Sequence, residues 1–331
     1  MPRPVRRSVA SVAVAMLEDA PFDLLDPGRR PAGLAPVLLP FDESGEPDWD
    51  GFAHLLGRVV DSGLTPAVNL GVGAADLLGP STRAEVLATT GAALGGAMFV
   101  AGVRAEAGVD GAFDPQRLAG AVDAASRHNA IPALLPSPAL ADLHPDEVLG
   151  LLAWMGEWCD RLLAADLPAE RWPGGRTWDL AEFTALLEQR HCIGVIDGSW
   201  SRQSEWDRLR RRDEERPGFR LYSANVLGVD QVMYGADHCL DLAAAVPDGL
   251  ADRDEAWEQV DAGVVERHDA LQALATLIFR PPVAASRHSL AVALQVRGWL
   301  AHDRVHPDLP RRAAGEADLL RPALARLGLL A

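Results

Sequence analysis

The chain has 331 residues, 48% of them apolar and 24% charged, the profile of a soluble globular protein of one large domain or two average ones. A formal net charge of −16 argues against a nucleic-acid partner, which requires a basic face. All 31 basic residues are Arg, so no side chain can supply the primary amine of a Schiff base.

In chain order, Arg3, Arg6 and Arg7 followed by Ser8 to Met16 only loosely imitate a signal peptide, because the apolar run is weak and broken by Ser. Residues 1–33 are expected to form an extension that packs on the core domain, and the breaker Asp26-Pro27-Gly28-Arg29-Arg30-Pro31 marks where that domain starts. From Leu34 the chain alternates apolar strand patterns with amphipathic helix patterns. Strands are predicted at Leu34–Leu39, Ala67–Leu70, Met98–Val103, Ile131–Leu135, a poor one at Ala169–Trp172, then Cys192–Ile196, Phe219–Ser223 and Cys239–Ala244. Helices are predicted between them at Trp49–Ser62, Ser81–Leu94 with Ser81 as N-cap, Pro115–His128, Pro145–Ala164, Leu180–Gln189 and Val226–Gly235. Eight such units predict an α/β fold, a (β/α)8 barrel over residues 34–246, with a C-terminal helical subdomain over 247–331. The Arg cluster Arg208, Arg210, Arg211 and Arg212 precedes three acids and reads as a solvated helix end. No apolar run approaches the ~18 residues of a membrane span, and an odd count of Cys159, Cys192 and Cys239 suggests reduced thiols in a cytoplasm.

The stretch Cys192-Ile193-Gly194-Val195-Ile196-Asp197-Gly198-Ser199-Trp200 resembles strand six of the dihydrodipicolinate synthase / N-acetylneuraminate lyase superfamily, whose pattern is I-G-I-K-[DE]-[SA]-[ST]. Pro40-Phe41-Asp42 through Asp48, Ser81 through Val86, Pro173-Gly174-Gly175-Arg176-Thr177 and Leu324 to Leu330 resemble further motifs of that family in the same order. The resemblance implies a barrel that acts as a lyase on a small molecule and assembles into dimers or tetramers. It also marks what is missing. Ile196 stands where the family has its Schiff-base Lys, Gly71-Val72-Gly73-Ala74-Ala75 replaces G-T-T-G-E, and Pro136-Ser137-Pro138 stands where the family has a Tyr.

Chemistry in such a barrel belongs to the C-terminal ends of the strands. Position selects Asp197 and Glu106 as a catalytic pair, able to act as acid and base or to hold a divalent cation. Arg104, Asn69, Ser137, Arg176, Ser199, Asn225 and Trp200 are selected as substrate contacts. The competing assignment makes Arg104–Glu106 a loop ion pair and Asp197 a helix cap. Trp172, Trp178 and Trp200 follow strands five and six, so they either rim the mouth, which suits a sugar-derived ligand better than a small keto acid, or serve loop packing or a subunit contact. Gly71-Val72-Gly73 lacks the third Gly of a dinucleotide fingerprint, so no cofactor is expected. His238 and Cys239 are expected at the base of strand eight, away from the site. Two functions are compatible with these residues: a lyase on a small oxygenated substrate without a covalent intermediate, or a non-catalytic barrel that binds a metabolite or supports a partner.

Overall fold

The computed structural model describes residues 21–106, 113–170 and 172–330; the basic start of the chain and Arg171 lie outside the described residues. Eight parallel strands pair in sequence order: β1 Leu34–Pro36, β2 Thr65–Val68, β3 Phe99–Arg104, β4 Ala130–Leu135, β5 Leu162–Asp166, β6 Cys192–Asp197, β7 Arg220–Ser223 and β8 Asp237–His238. A parallel bridge between Gly33 and His238 brings the last strand back to the first. Gly33 is required there, since a Cβ would meet Leu64 and His238 at 2.5–2.7 Å. The predicted (β/α)8 barrel is therefore what the chain forms.

Helices α1 Trp49–Asp61, α2 Pro80–Ala93, α3 Pro115–Arg127, α4 Pro145–Met155, α5 Leu180–Leu187 and α6 Arg202–Glu215 come after the first six strands. Their starts are set locally. Asp48, Asp114 and Ser201 accept backbone N–H bonds at the starts of α1, α3 and α6, while His144 with Glu147 and Asp179 with Glu182 form capping boxes. Helix α2 begins one residue earlier than predicted, with Gly79 rather than Ser81 at the cap and Pro80 in its first turn. Alternation along the strands divides the apolar residues between two layers. Phe99, Ala101, Leu134, Leu162 and Val195 face the helices, whereas Val100, Ala133, Leu163, Ala165 and Ile196 fill the barrel.

Three elements depart from the sequence expectation. The run read as one long helix to Ala164 ends at Met155, capped by Gly156, and its last residues are strand five. Residues 169, 170 and 172 of the stretch predicted as that strand lie in the loop beyond it. A short buried apolar run carries no period that separates strand from helix. The β7–β8 connection is a 3-10 turn, Val229–Tyr234, in place of a full helix. Strand eight is two residues earlier than predicted, and Asp241–Ala244 is a 3-10 turn. Helix α7, Pro247–Glu258, packs back on β8 through a 2.8 Å contact between His238 Nε2 and Asp254 Oδ2. Burial works against the charge of Asp254, but Arg253 and His238 outweigh it and hold the carboxyl below its usual range. Helices α8 Val264–Ile278, α9 Ser286–Val296 and α10 Glu316–Arg326 complete the C-terminal region.

Candidate functional site

The C-terminal ends of the strands open into a cavity of about 530 Å³. Leu70, Leu135, Ile196, Ala224 and Cys239 supply apolar lining, and the indoles of Trp172 and Trp200 stand in its wall. Asp76, Glu170, Asp241, Asp308, Ser286 and Arg287 supply the polar lining. The C-terminal region therefore forms part of the wall, and Arg287 reaches the β2 loop through a 3.0 Å ion pair with Asp76. Trp172 is fixed from two sides. Its Nε1 donates to the Pro136 carbonyl, and the Arg104 guanidinium lies 5.9 Å from its ring centroid. Gly71 leaves room for this ring, since a Cβ there would come within 3.2 Å of it. Trp200 takes a left-handed backbone, φ 56°, uncommon outside Gly and Asn, and its Nε1 donates to the Ala224 carbonyl at 3.4 Å.

Ile196, next to last on β6, lines this cavity. Cys239 lines it too, a correction to its expected place at the barrel base that results from the earlier end of β8. Burial pushes its thiol far above the usual range, so it is a wall atom rather than a nucleophile.

The proposed catalytic pair does not converge on the mouth. Asp197 is fully buried outside the cavity lining, and Arg208 of α6 bridges it to Asp166 at the end of β5. Arg208 also donates to the Trp178 carbonyl, and Asp197 Oδ1 accepts the Ser199 N–H at 2.9 Å. Asp197 is thus part of a buried ionic junction behind the β5 and β6 ends. The Arg cluster is corrected at the same point, since Arg208 and Arg212 are buried and only part of it is a solvated face. Beside the junction, Glu205 is fully buried and accepts from Asn225 Nδ2 at 3.1 Å and Gln231 Nε2 at 2.9 Å. Asp166 and Asp197 share one guanidinium here, and Glu205 is a third buried acid beside them. Burial, with the Asp197 charge added, pushes Asp166 up to about 7 despite Arg208, and Glu205 up to about 8.

Glu106 faces the outside of the barrel, paired with Arg83 of α2 and within 3.9 Å of Arg117 of α3. Neither the acid–base pairing with Asp197 nor a cation shared between them is compatible with this placement. The alternative Arg104–Glu106 pair does not form either, since Arg104 donates to the Ala75 carbonyl at 3.0 Å. Asn69 and Arg104 line an outer cavity of about 460 Å³ with Arg83, Glu106 and Arg117, and Asn69 Nδ2 donates to the Arg83 carbonyl.

The other expected contacts are also drawn away from the mouth. Ser137 is buried against Gly174, Arg176 pairs with Glu182 at 2.8 Å, Ser199 serves the Asp197 turn, and Asn225 serves Glu205. Of the nine, Trp200 alone lines the mouth. Of the three tryptophans, Trp172 and Trp200 do, while Trp178 is buried behind β4 and β5. Asp76, Asp241, Ser286 and Arg287 carry no motif. Ser286 and Arg287 in particular come from a helical stretch that nothing in its sequence assigns to the rim. Among the described residues, no three His, Cys, Asp or Glu are arranged to hold a metal, and no helix is long and apolar enough to cross a membrane.

An eight-stranded parallel barrel with helices appended at its C-terminus defines the class: the chain has the fold of the (β/α)8 barrels with a C-terminal helical region. More particularly, it shares that fold with dihydrodipicolinate synthase structures. The enzyme from Thermotoga maritima matches at 15% identity over 91% of this chain and 99% of that chain, with a TM-score of 0.75. A monomeric dihydrodipicolinate synthase variant matches at 15% identity over 92% and 98%, with a TM-score of 0.76. YagE, a prophage protein of that family from E. coli K12 in complex with pyruvate, matches at 15% identity over 90% and 99%, with a TM-score of 0.78. No protein-family model matches the sequence, and no curated protein matches it significantly.

Proposed function

We propose that this chain is a divergent dihydrodipicolinate synthase / N-acetylneuraminate lyase-type barrel that cleaves a small oxygenated, sugar-derived substrate without a Schiff base. One observation carries the reading: the mouth is a built cavity at the strand ends, with Ile196 in its lining and two indoles in its wall, in a chain without lysine. At about 530 Å³ the space suits a ligand of sugar size, larger than a three-carbon keto acid. Indole faces pack on the C–H faces of such a ligand, while carboxylates accept from its hydroxyls.

The chemistry that fits is cleavage of a β-hydroxycarbonyl compound. A lining carboxylate, Asp241 or Asp76, takes the hydroxyl proton, the C–C bond breaks to leave an aldehyde and an enolate, and the enolate carbon is reprotonated. Arg287, already oriented by Asp76, is the cation placed to stabilise the developing oxyanion. NMR of sugar-derived β-hydroxycarbonyl compounds incubated with the protein tests this. Cleavage is expected to continue in the presence of cyanoborohydride, which stops Schiff-base lyases, and to fall about 10²–10⁴-fold in Asp241→Asn. Binding without turnover across the set would contradict it.

That outcome would support the second reading, a metabolite-binding barrel without catalysis. The specific observation in its favour is that Asp197 and Glu106, the acids nearest the expected catalytic positions, are both held in ion pairs outside the cavity.

A further inference from the structure

Ser286, at the start of α9, is 7% exposed and lines the mouth. Among the described residues its hydroxyl has no hydrogen-bond partner, whereas Ser289, one turn later, is fully used by Glu316 and Arg312. The residue is largely covered, but its hydroxyl oxygen is not sealed off, so it opens to the mouth and is free to bond a ligand there. The segment around it is rigidly held from behind. Arg312 donates to the carbonyls of Ile278, Arg280 and Pro281, at 3.0, 2.8 and 3.2 Å, and Glu316 pairs with Arg280. From the front, the Arg287–Asp76 pair ties the same segment to the β2 loop across the mouth. Such support on both sides is what a pre-organised binding group requires.

We infer that Ser286 is a ligand-binding residue, and that the C-terminal region supplies the far wall of the mouth, where Ser286 Oγ hydrogen-bonds a hydroxyl of a sugar-sized polyol. The inference rests on the mouth being the substrate site. A hydroxyl both donates and accepts, and so does Ser286. The Asp76 and Asp308 carboxylates that line the same cavity are acceptors for neighbouring hydroxyls. A three-carbon acid seated against Ile196 fills too little of the cavity to engage this wall and the strand-six floor together.

The test is calorimetric titration of wild-type, Ser286→Ala and Trp200→Ala proteins with neutral hexoses and myo-inositol, with pyruvate as comparator and melting temperatures recorded for all three. Ser286→Ala is expected to melt no lower than wild type, because it removes an unpartnered hydroxyl, and to bind the polyol about three- to tenfold more weakly. Trp200→Ala is expected to weaken every ligand. A lowered melting temperature for Ser286→Ala would overturn the inference by showing that its hydroxyl holds the fold. Unchanged polyol affinity in Ser286→Ala, with loss in Trp200→Ala, would overturn the inference while leaving the mouth as the site. Binding of pyruvate and of no polyol would do the same. Binding unaffected by Trp200→Ala would overturn the reading of the mouth itself.

Discussion

Replacing Arg208 by Leu is expected to destabilise the protein by about 3–5 kcal/mol, the usual cost of stripping one partner from a buried ion pair. The leucine fills much of the aliphatic volume, so the loss is electrostatic rather than a cavity effect. Asp166 and Asp197, neither of them exposed, would face each other with no cation between them. The Trp178 carbonyl and the stacking on Phe183, 5.5 Å from the guanidinium to the ring centroid, would be lost as well. Equilibrium unfolding in urea measures the effect. A change under about 1 kcal/mol would show that the junction is solvated and that Asp197 is available to the mouth after all. The triple variant Arg208→Leu, Asp166→Asn, Asp197→Asn is expected to recover part of the loss, since it removes the uncompensated charges along with the cation.

The second large effect is on stability against pH. Asp166 and Glu205 titrate near 7 and 8 in the folded chain, well above unfolded carboxyls, so the folded state holds protons that the unfolded state has released. Stability from these two groups is full below about pH 4 and is lost as pH rises through their folded values. Burial depresses His268 to about 4 and lowers His288, which acts in the opposite sense and adds stability as pH rises towards about 6.5. The two trends offset each other below that pH. Above it the carboxyls stand alone, and stability is expected to fall by a few kcal/mol between about pH 6.5 and 8.5, at up to ~1.4 kcal/mol per pH unit for each group. Denaturant titrations at several pH values check this, and Glu205→Gln should flatten the alkaline limb. A curve that stays flat through the same window would mean that Asp166 and Glu205 are already ionised and compensated in the folded chain.

Strand rhythm made the barrel legible, because parallel staves buried on both sides read as apolar runs between helical patterns. Strand five was illegible for the same reason: Leu162-Leu163-Ala164-Ala165 comes after an amphipathic helix with only Gly156 and a few polar residues to separate them. The absence of lysine, with Ile196 on strand six, was readable outright. The rim was not. Asp197 was selected correctly as the last residue of β6, yet a strand's final side chain can face the helices as well as the mouth, and Arg208, eleven residues on, decides which. Glu106 is likewise captured by Arg83 and Arg117 from two helices. Arg208 looked like surface charge because its neighbours Arg210 and Arg211 are partly exposed, while one helix face turns inward. Ser286 and Arg287 reach the mouth only through tertiary folding, and local pattern carries no trace of that.

The most direct measurement exploits the missing lysine. Ile196→Lys would place one amine in a chain whose only other amine is the N-terminus. In an apolar mouth that amine should deprotonate readily and attack a neutral aldehyde. Folded Ile196→Lys protein is treated with glyceraldehyde and cyanoborohydride: the amine adds to the aldehyde carbon, water leaves, and hydride reduces the imine to a stable secondary amine. Peptide mapping is expected to find the modification at position 196, and none within residues 34–330 of wild type. A folded variant unmodified at position 196, but labelled there once denatured, would show that strand six does not present this side chain to an accessible mouth, and would contradict the assignment of that cavity as the site.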